Sequence, residues 1–470
     1  MTAVGGVRRE EAGGAAGGKV AADLVLRGAG ELVTMQRPPG DGLGVVKDGA
    51  LAARQGRIVW VGREAELGGA VAVDDDAVVV DADGACVLPG FVDAHTHLVF
   101  AGERSHEYAA RLGGMSYAEV LAGGGGITAT VRATREAPLE ELERLTRARL
   151  DSFLAHGTTT VEAKTGYGLS LEAERKQLAA ARVEHPVRRV LTLMPAHFVP
   201  PEFEGRADEF VAHVCDDILP ALRGEAAFVD VFCDEGAFTV AQTRRVFDAA
   251  RALGFRLKVH AEELAHTGGA RLAAEYGCVS ADHLIHADGD DLAALRTTGV
   301  VAVGLPGTSY TLHTAYAPLR AFLDAGVTLA LATDFNPGTC YCENMQTVIS
   351  LACQEGRLTP DEALHAATMG GAAALGLQRE VGSLEVGKSC DFIVLGAASR
   401  HELPYHFGVN LVEGAVVGGA IDAAAVGGAT GAGGRTTVSA AGGRAATSAA
   451  GDHATPASAP ARGPFEGSRR

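Results

Sequence analysis

Six side chains able to bind a metal or move a proton recur at one kind of place in this 470-residue sequence, at or near the end of a short apolar run. His95 and His97 close FVDAHTH, His197 closes RVLTLMPAH, His260 lies in RLKVHAE, His283 in SADHLIH, and Asp334 closes TLALATD. One histidine in an apolar run is most simply a satisfied core residue, but five run ends sharing the pattern point to groups that converge in space. The spacing His95-Thr-His97 puts two imidazoles on one face of a strand, where both reach one ion. With His260 and the carboxylate of Asp334 the set becomes three nitrogens and one oxygen, suited to Zn²⁺ or Fe²⁺ with room left for a water. A bound divalent cation can bring the pKa of that water to about 7, so hydrolysis is the expected chemistry. Glu263 could be a solvated helix residue, but three positions after His260 it can reach the water and shuttle its proton. His283 could be a core histidine, or it could hydrogen-bond the attacking water or a developing oxyanion.

Positioning such a set requires strands whose ends share one edge. Between residues 89 and 378, apolar runs alternate with longer amphipathic stretches such as PLEELERLTRARLDSFLAHG. Eight runs read as strands: 91–97, 158–163, 189–197, 227–234, 256–262, 280–286, 300–306 and 328–334, the pattern of a parallel sheet covered by helices. Eight units predict an α/β fold, a (β/α)₈ barrel of the TIM type, in which chemistry gathers at the C-terminal edge of the strands. Capping boxes, Thr239 with Gln242 and Thr359 with Glu362 behind Pro360, support the helices. Residues 20–88 and 379–420 alternate short β-like runs with Gly and Asp turns, and are expected to pair into one small β-sandwich-like unit. The ends, 1–19 and 421–470, are rich in Gly, Ala, Ser and Thr and predict disordered tails.

Composition narrows the partners. A formal charge of −17 with no dense Lys/Arg block argues against nucleic acid and anionic membranes, and leaves a small-molecule substrate. Eight scattered cysteines without a CxxC pair fit a reducing compartment. The N-terminal stretch lacks an apolar h-region and there is no run of about 18 apolar residues, so the reading is a cytoplasmic chain. Asp234-Glu235 reads as a solvated strand end, and Cys340-x-Cys342 does not by itself establish thiolate chemistry.

The motifs LPGFVDAHTH, KVHAEE, ATDFNPG and VGSLEVGKSCDFIVL together resemble the amidohydrolase superfamily over roughly residues 22 to 420. Its binuclear members bridge two metals with a strand-four lysine; here strand four ends in FCDEGAF, and Lys164 ends strand two instead. The resemblance therefore implies a mononuclear centre holding Zn²⁺ or Fe²⁺/Fe³⁺ on His95, His97, His260 and Asp334, with Glu263, His283 and Asp334 catalytic. Longer segments, HTHLVFAGERSHEYAARLGGMSYAEV, EAKTGYGLS, MPAHFVPPEF, VHAEELAHTGGA and ATDFNPGTCYCENM, are similar to the imidazolonepropionase family. That likeness implies hydrolysis of the ring amide of 4-imidazolone-5-propanoate to N-formimidoyl-L-glutamate in L-histidine degradation, by a homodimer. It also implies that Arg104, Tyr167, His197, Glu263, Asn336, Gly338 and Thr339 meet substrate or product. A guanidinium suits a propanoate tail because it grips carboxylate through two parallel hydrogen bonds. Tyr117 is a further aromatic that could face the pocket. The nearest alternative is a mononuclear aminohydrolase of a purine or pyrimidine, with the same metal and HxxE machinery but ammonia as product.

Overall fold

Eight parallel strands wind into a barrel that closes through the residues of the HxH motif. In the computed structural model, which describes residues 18–115, 119, 123–421 and 437–440, chain order runs from β1 (Val20–Val33), β2 (Val45–Arg54), β3 (Arg57–Arg63), β4 (Val71–Asp81) and β5 (Cys86–Pro89) into the barrel. The barrel strands are β6 (Phe91–Asp93), β7 (Thr158–Lys164), β8 (Arg188–Ala196), β9 (Phe228–Cys233), β10 (Arg256–Ala261), β11 (Ser280–His283), β12 (Val301–Gly304) and β13 (Leu329–Leu331), hydrogen-bonded in sequence order. Between β13 and β6 the seam is made just past both strands, where the Asp334 N–H donates to the His95 carbonyl (3.0 Å) and the His97 N–H to the Phe335 carbonyl (2.8 Å). The Thr333 hydroxyl donates to Asp93 at 2.6 Å beside them.

All eight runs expected as strands are strands, but β6, β11, β12 and β13 stop more than one residue short of the expected ends. His283, Leu284 and Asp334 adopt left-handed backbone, with φ of 76°, 57° and 52°. That conformation breaks the ladder, and non-glycine residues hold it only when the surroundings over-determine it, as at functional edges. The covering helices follow their apolar spacing: Leu139–Ala155 buries Leu142, Leu150, Phe153 and Leu154. Both expected capping boxes form, at Val240–Ala252 and Pro360–His365, and a third, unanticipated one joins Asp288 to Asp291 at the start of Gly289–Thr298.

The flanks form one branched sheet with β14 (Phe392–Leu395), β15 (Val412–Val417), β16 (Ala420–Ile421) and β17 (Thr437–Ala440), in the order β16-β15-β14-β5-β1-β2-β3, with β4 beside β1 and β17 beside β4. The antiparallel pairing of β14 with β5 ties the late segment to the early one. A register shift in β1 between Leu26 and Ala29 falls at Gly28 (φ +69°), where a Cβ would lie 2.6 Å from Asp81. Only Gly90 separates β5 from β6, and a Cβ there would strike Thr159 at 2.2 Å, so the chain passes from sheet to barrel through a contact that excludes any side chain. Of the expected tails, only residues 18, 19, 421 and Thr437–Ala440 are among the described residues, and those last four form a strand; Tyr117 lies outside the described residues.

Candidate metal centre and substrate pocket

His95 and His97 follow β6, His260 sits inside β10, His283 ends β11 and Asp334 follows β13, all at the C-terminal edge of the barrel. One ligand atom from each of His95, His97 and His260 lies within 4.8 Å of the others, and the same holds for His95, His283 and Asp334. The Nε2 atoms of His97 and His260 are 3.3 Å apart, and Asp334 Oδ1 stands 3.4 Å from His95 Nε2 and 3.8 Å from His97 Nε2. The opposite nitrogens are engaged: His95 Nδ1 with Asp282 at 2.7 Å and His260 Nδ1 with Asp230 at 3.1 Å. Such carboxylate partners fix the ring and leave its far nitrogen as the ligand.

The donors fit a divalent cation. His95 Nε2 is fully buried and has no hydrogen-bond partner among the described residues. Burial, reinforced by neighbouring cationic groups, holds His95, His97 and His260 well below the usual histidine range, so they are neutral, the form that binds metal. Burial also lifts Asp334 to about 7 against hydrogen bonds from Thr308 and Asn336, a desolvated carboxylate that a cation would stabilise.

Glu263 reaches the same space. Its Oε2 is 3.5 Å from His283 Nε2, and burial, with Asp334 and Asp234 adding to it, pushes its carboxyl well above the ordinary glutamate value. His283 is lowered to about 4 by burial. The loop carrying Glu263 is clamped from two sides. Asp234 accepts from the N–H groups of Glu263, Leu264 and Ala265, and Glu262 from those of Thr267, Gly268 and Ala270. Asp234 is thus a buried structural carboxylate, where the sequence reading has a solvated strand end. Glu262, His266 and Asp291 also lie close together, but these backbone bonds and Arg271 already saturate the carboxylates.

The remaining expected contacts converge on His97 and on the loop after Asp334. His197 stacks on His97 with centroids 5.0 Å apart, and its Nδ1 donates to the Gly166 carbonyl at 3.0 Å. Tyr167 is buried 5.7 Å from His97 and 5.4 Å from His197. Gly166, at φ +107°, allows this: a Cβ there would lie 2.9 Å from His197 Nδ1. Asn336 builds its own turn, accepting from the Gly338 and Thr339 N–H groups and donating to the Asp334 carbonyl and the Thr339 hydroxyl. Arg104 lies against that turn, its guanidinium 2.7 Å from where a Gly338 Cβ would stand, held by Glu107 at 2.8 Å. Arg111 donates to the Gly338 carbonyl at 3.2 Å. All eight cysteines are free thiols, and burial raises Cys340 and Cys342, which keeps both as neutral thiols.

Beneath the donors lies a layer that sequence reasoning passed over. Lys164, Lys258, Glu162, Asp230 and Asp282 all have side chains with 0% exposure. Each lies in a barrel strand, and the signal was available as charges inside otherwise apolar runs (VEAK, VDVF, LKVH, SADH). Lys164 meets Asp230 at 2.5 Å, Glu162 at 2.9 Å and Asp282 at 3.4 Å. Burial opposes its ammonium, but these three carboxylates outweigh burial and hold its pKa above the usual lysine value. His95, Glu162 and Asp282 also cluster as potential ligands, yet the cationic charge between them is already supplied by Lys164 and Lys258.

A parallel barrel with imidazoles, a carboxylate and a buried acid at its C-terminal edge is the architecture of a metal-dependent hydrolase, and the model of the amidohydrolase family matches residues 86–428. Imidazolonepropionase of Symbiobacterium thermophilum is 50% identical over 411 residues, covering 85% of this chain and 97% of that protein. Imidazolonepropionase of Haloarcula marismortui is 48% identical over 404 residues, covering 85% and 96%. The chain belongs to the amidohydrolase family and, within it, to the imidazolonepropionases. In fold it is similar to a zinc-bound adenosine deaminase from Xanthomonas campestris (TM-score 0.64, 22% identity, 86% of this chain and 93% of that one). It is likewise similar to guanine deaminase of E. coli (TM-score 0.63, 17% identity, 85% and 98%).

Proposed function

We propose that this hydrolase opens the ring amide of 4-imidazolone-5-propanoate to give N-formimidoyl-L-glutamate, the third step of L-histidine degradation. The observation that carries the substrate is Arg104. Its guanidinium is nearly buried, fixed by Glu107 and seated on the Gly338 turn two residues beyond Asn336, so a carboxylate tail meets a cation whose orientation is already set. The kinship with imidazolonepropionases supports the same substrate.

His95, His97, His260 and Asp334 would hold one ion per subunit, Zn²⁺ or Fe²⁺/Fe³⁺. When bound, a divalent cation there supplies an acidified water near neutral pH. Glu263, whose carboxyl burial makes more basic than an ordinary glutamate, takes the proton of the attacking water and returns it to the departing ring nitrogen. His283, neutral and 3.5 Å from Glu263, hydrogen-bonds the oxygen on which charge develops. Tyr167 and His197 wall the ring side, and the turn of Asn336, Gly338 and Thr339 holds the product end. The enzyme acts as a cytoplasmic homodimer on a small molecule; no helix among the described residues is long and apolar enough to cross a membrane.

Incubation with freshly generated 4-imidazolone-5-propanoate, following the imidazolone absorbance and the product mass with and without chelator, tests this. Chelator-sensitive formation of N-formimidoyl-glutamate is expected. No turnover by metal-loaded protein, with ammonia released from a purine or pyrimidine instead, would replace the reading with a deaminase.

A further inference from the structure

The ionic layer under the donors is not explained by packing. Burying five ionisable side chains is expensive unless each is paired, and a well-packed apolar core of the same volume is commonly at least as stable. With the imidazoles neutral, two lysines against three carboxylates leave the layer one negative charge in excess, directly below the four donors. Its members are not interchangeable. Lys258 bonds Glu162 and the Ala94 carbonyl, both at 2.8 Å, and so anchors the backbone next to His95. Lys164 alone among the described residues touches both carboxylates that orient imidazoles: Asp230, which holds His260, and Asp282, which holds His95. Its backbone N–H also bonds the Thr96 carbonyl at 3.0 Å, between the two histidines of the HxH pair.

We infer that Lys164 is a positioning residue for the metal, a single ammonium that aims Asp230 and Asp282 together so that His260 and His95 present Nε2 at one point. The inference rests on the metal reading of the site. Removing the ammonium leaves three carboxylates around one lysine; Asp230 and Asp282 repel, turn away, and release both rings. Partners behind metal-binding histidines are typically worth tenfold to a hundredfold in metal affinity, and Lys164 acts through two of them.

The test compares the full-length wild type with Lys164→Met, Asp230→Asn and the double variant, all metal-free at the start. Zinc affinity is measured by competition with a chromophoric chelator, the Co²⁺ ligand-field spectrum reports donor geometry, and the melting temperature of the metal-free form reports folding. Lys164→Met is expected to weaken zinc binding by about tenfold to a hundredfold and to alter the Co²⁺ spectrum. Wild-type affinity and spectrum in a Lys164→Met protein whose melting temperature has fallen would overturn the inference and leave the lysine a purely structural role. If Lys164→Met does not fold, the step from Asp230→Asn to the double variant decides, because the double variant has the same net buried charge as wild type. A further loss of affinity, acting through Asp282, is expected; no further loss would overturn the inference. Failure of the wild type itself to bind zinc, cobalt or iron would instead sink the metal reading and the proposed function with it.

Discussion

The barrel and the flanking sheet bury their residues on opposite terms. Inside the sheet the cluster of Leu26, Leu32, Leu51, Ile58, Val87 and Phe392 is wholly apolar, and the buried carboxylate Glu31 is paired with the exposed Lys47 and with Arg400. Inside the barrel, Lys164, Lys258, Glu162, Asp230, Asp282 and Asp334 lie out of water around one axis together with His95, His97, His260 and His283. Desolvation favours the first arrangement everywhere, so the second persists where an added ligand or a reaction compensates for it. The contrast identifies the barrel interior as the part shaped by chemistry and the sheet as the part shaped by stability. Mutations in the two should therefore separate activity from folding.

The sharpest separation is expected from His260→Ala. It removes one nitrogen donor and leaves Asp230 without its imidazole, so metal content and turnover should fall together, the latter by more than about a thousandfold, or ~4 kcal/mol. Metal analysis beside steady-state kinetics checks it; metal retained at wild-type stoichiometry would break the assignment of His260 as a ligand. In the sheet, Phe392→Ala should do the reverse. A fully buried ring lost from an apolar cluster costs about 3–5 kcal/mol, read as a lower urea midpoint, while kcat of the folded protein stays at the wild-type value.

The same contrast governs what the sequence made legible. Strand ends in the barrel were readable because a histidine or aspartate after an apolar run is a departure from pattern, and His95, His97, His260, His283 and Asp334 do converge. The strands are shorter than the runs 91–97, 280–286, 300–306 and 328–334, and the left-handed backbone at His283 and Asp334, with the early end of β6 and β12, leaves no mark in composition or periodicity. The sequence offers Lys164 only as a misplaced metal bridge, because its role depends on β7, β9, β10 and β11 lying side by side: beyond Glu162, the carboxylates it touches are 66 and 118 positions away. Asp234 departs from its sequence reading for a related reason. An acid at a strand end looks solvated until the loop that folds over it is known.

Arg104 tests the boundary between metal and substrate. Arg104→Ala should raise KM about tenfold to a hundredfold, the equivalent of one or two charged hydrogen bonds, with metal content unchanged. An unaltered KM would remove Arg104 from the pocket, and lost metal would show that the Gly338 turn depends on it structurally.

The smallest effect belongs to the junction of the two regions. Arg400 donates to Asp361, which opens the barrel helix Pro360–His365, at 2.7 Å and 3.0 Å, and to Glu31 of β1 at 3.3 Å. Burial works to raise both carboxyls, but hydrogen bonds and charge from Arg400, with Lys47 at Glu31, outweigh it and hold them below their ordinary values. A carboxyl whose folded pKa is depressed contributes stability that is present above its unfolded pKa, about 4, and is lost as pH falls through the lower folded value. Arg400→Met should accordingly cost about 1–2 kcal/mol at pH 7, discounted for the partial exposure of the three groups. That cost should shrink below about pH 4, where wild type and variant converge, because the carboxylates that Arg400 pairs with have taken up protons. Urea unfolding of both proteins at pH 7 and at pH 3.5 measures the difference. A penalty that does not change with pH would mean that the arginine's packed methylenes, and not its charge, join the sheet to the barrel.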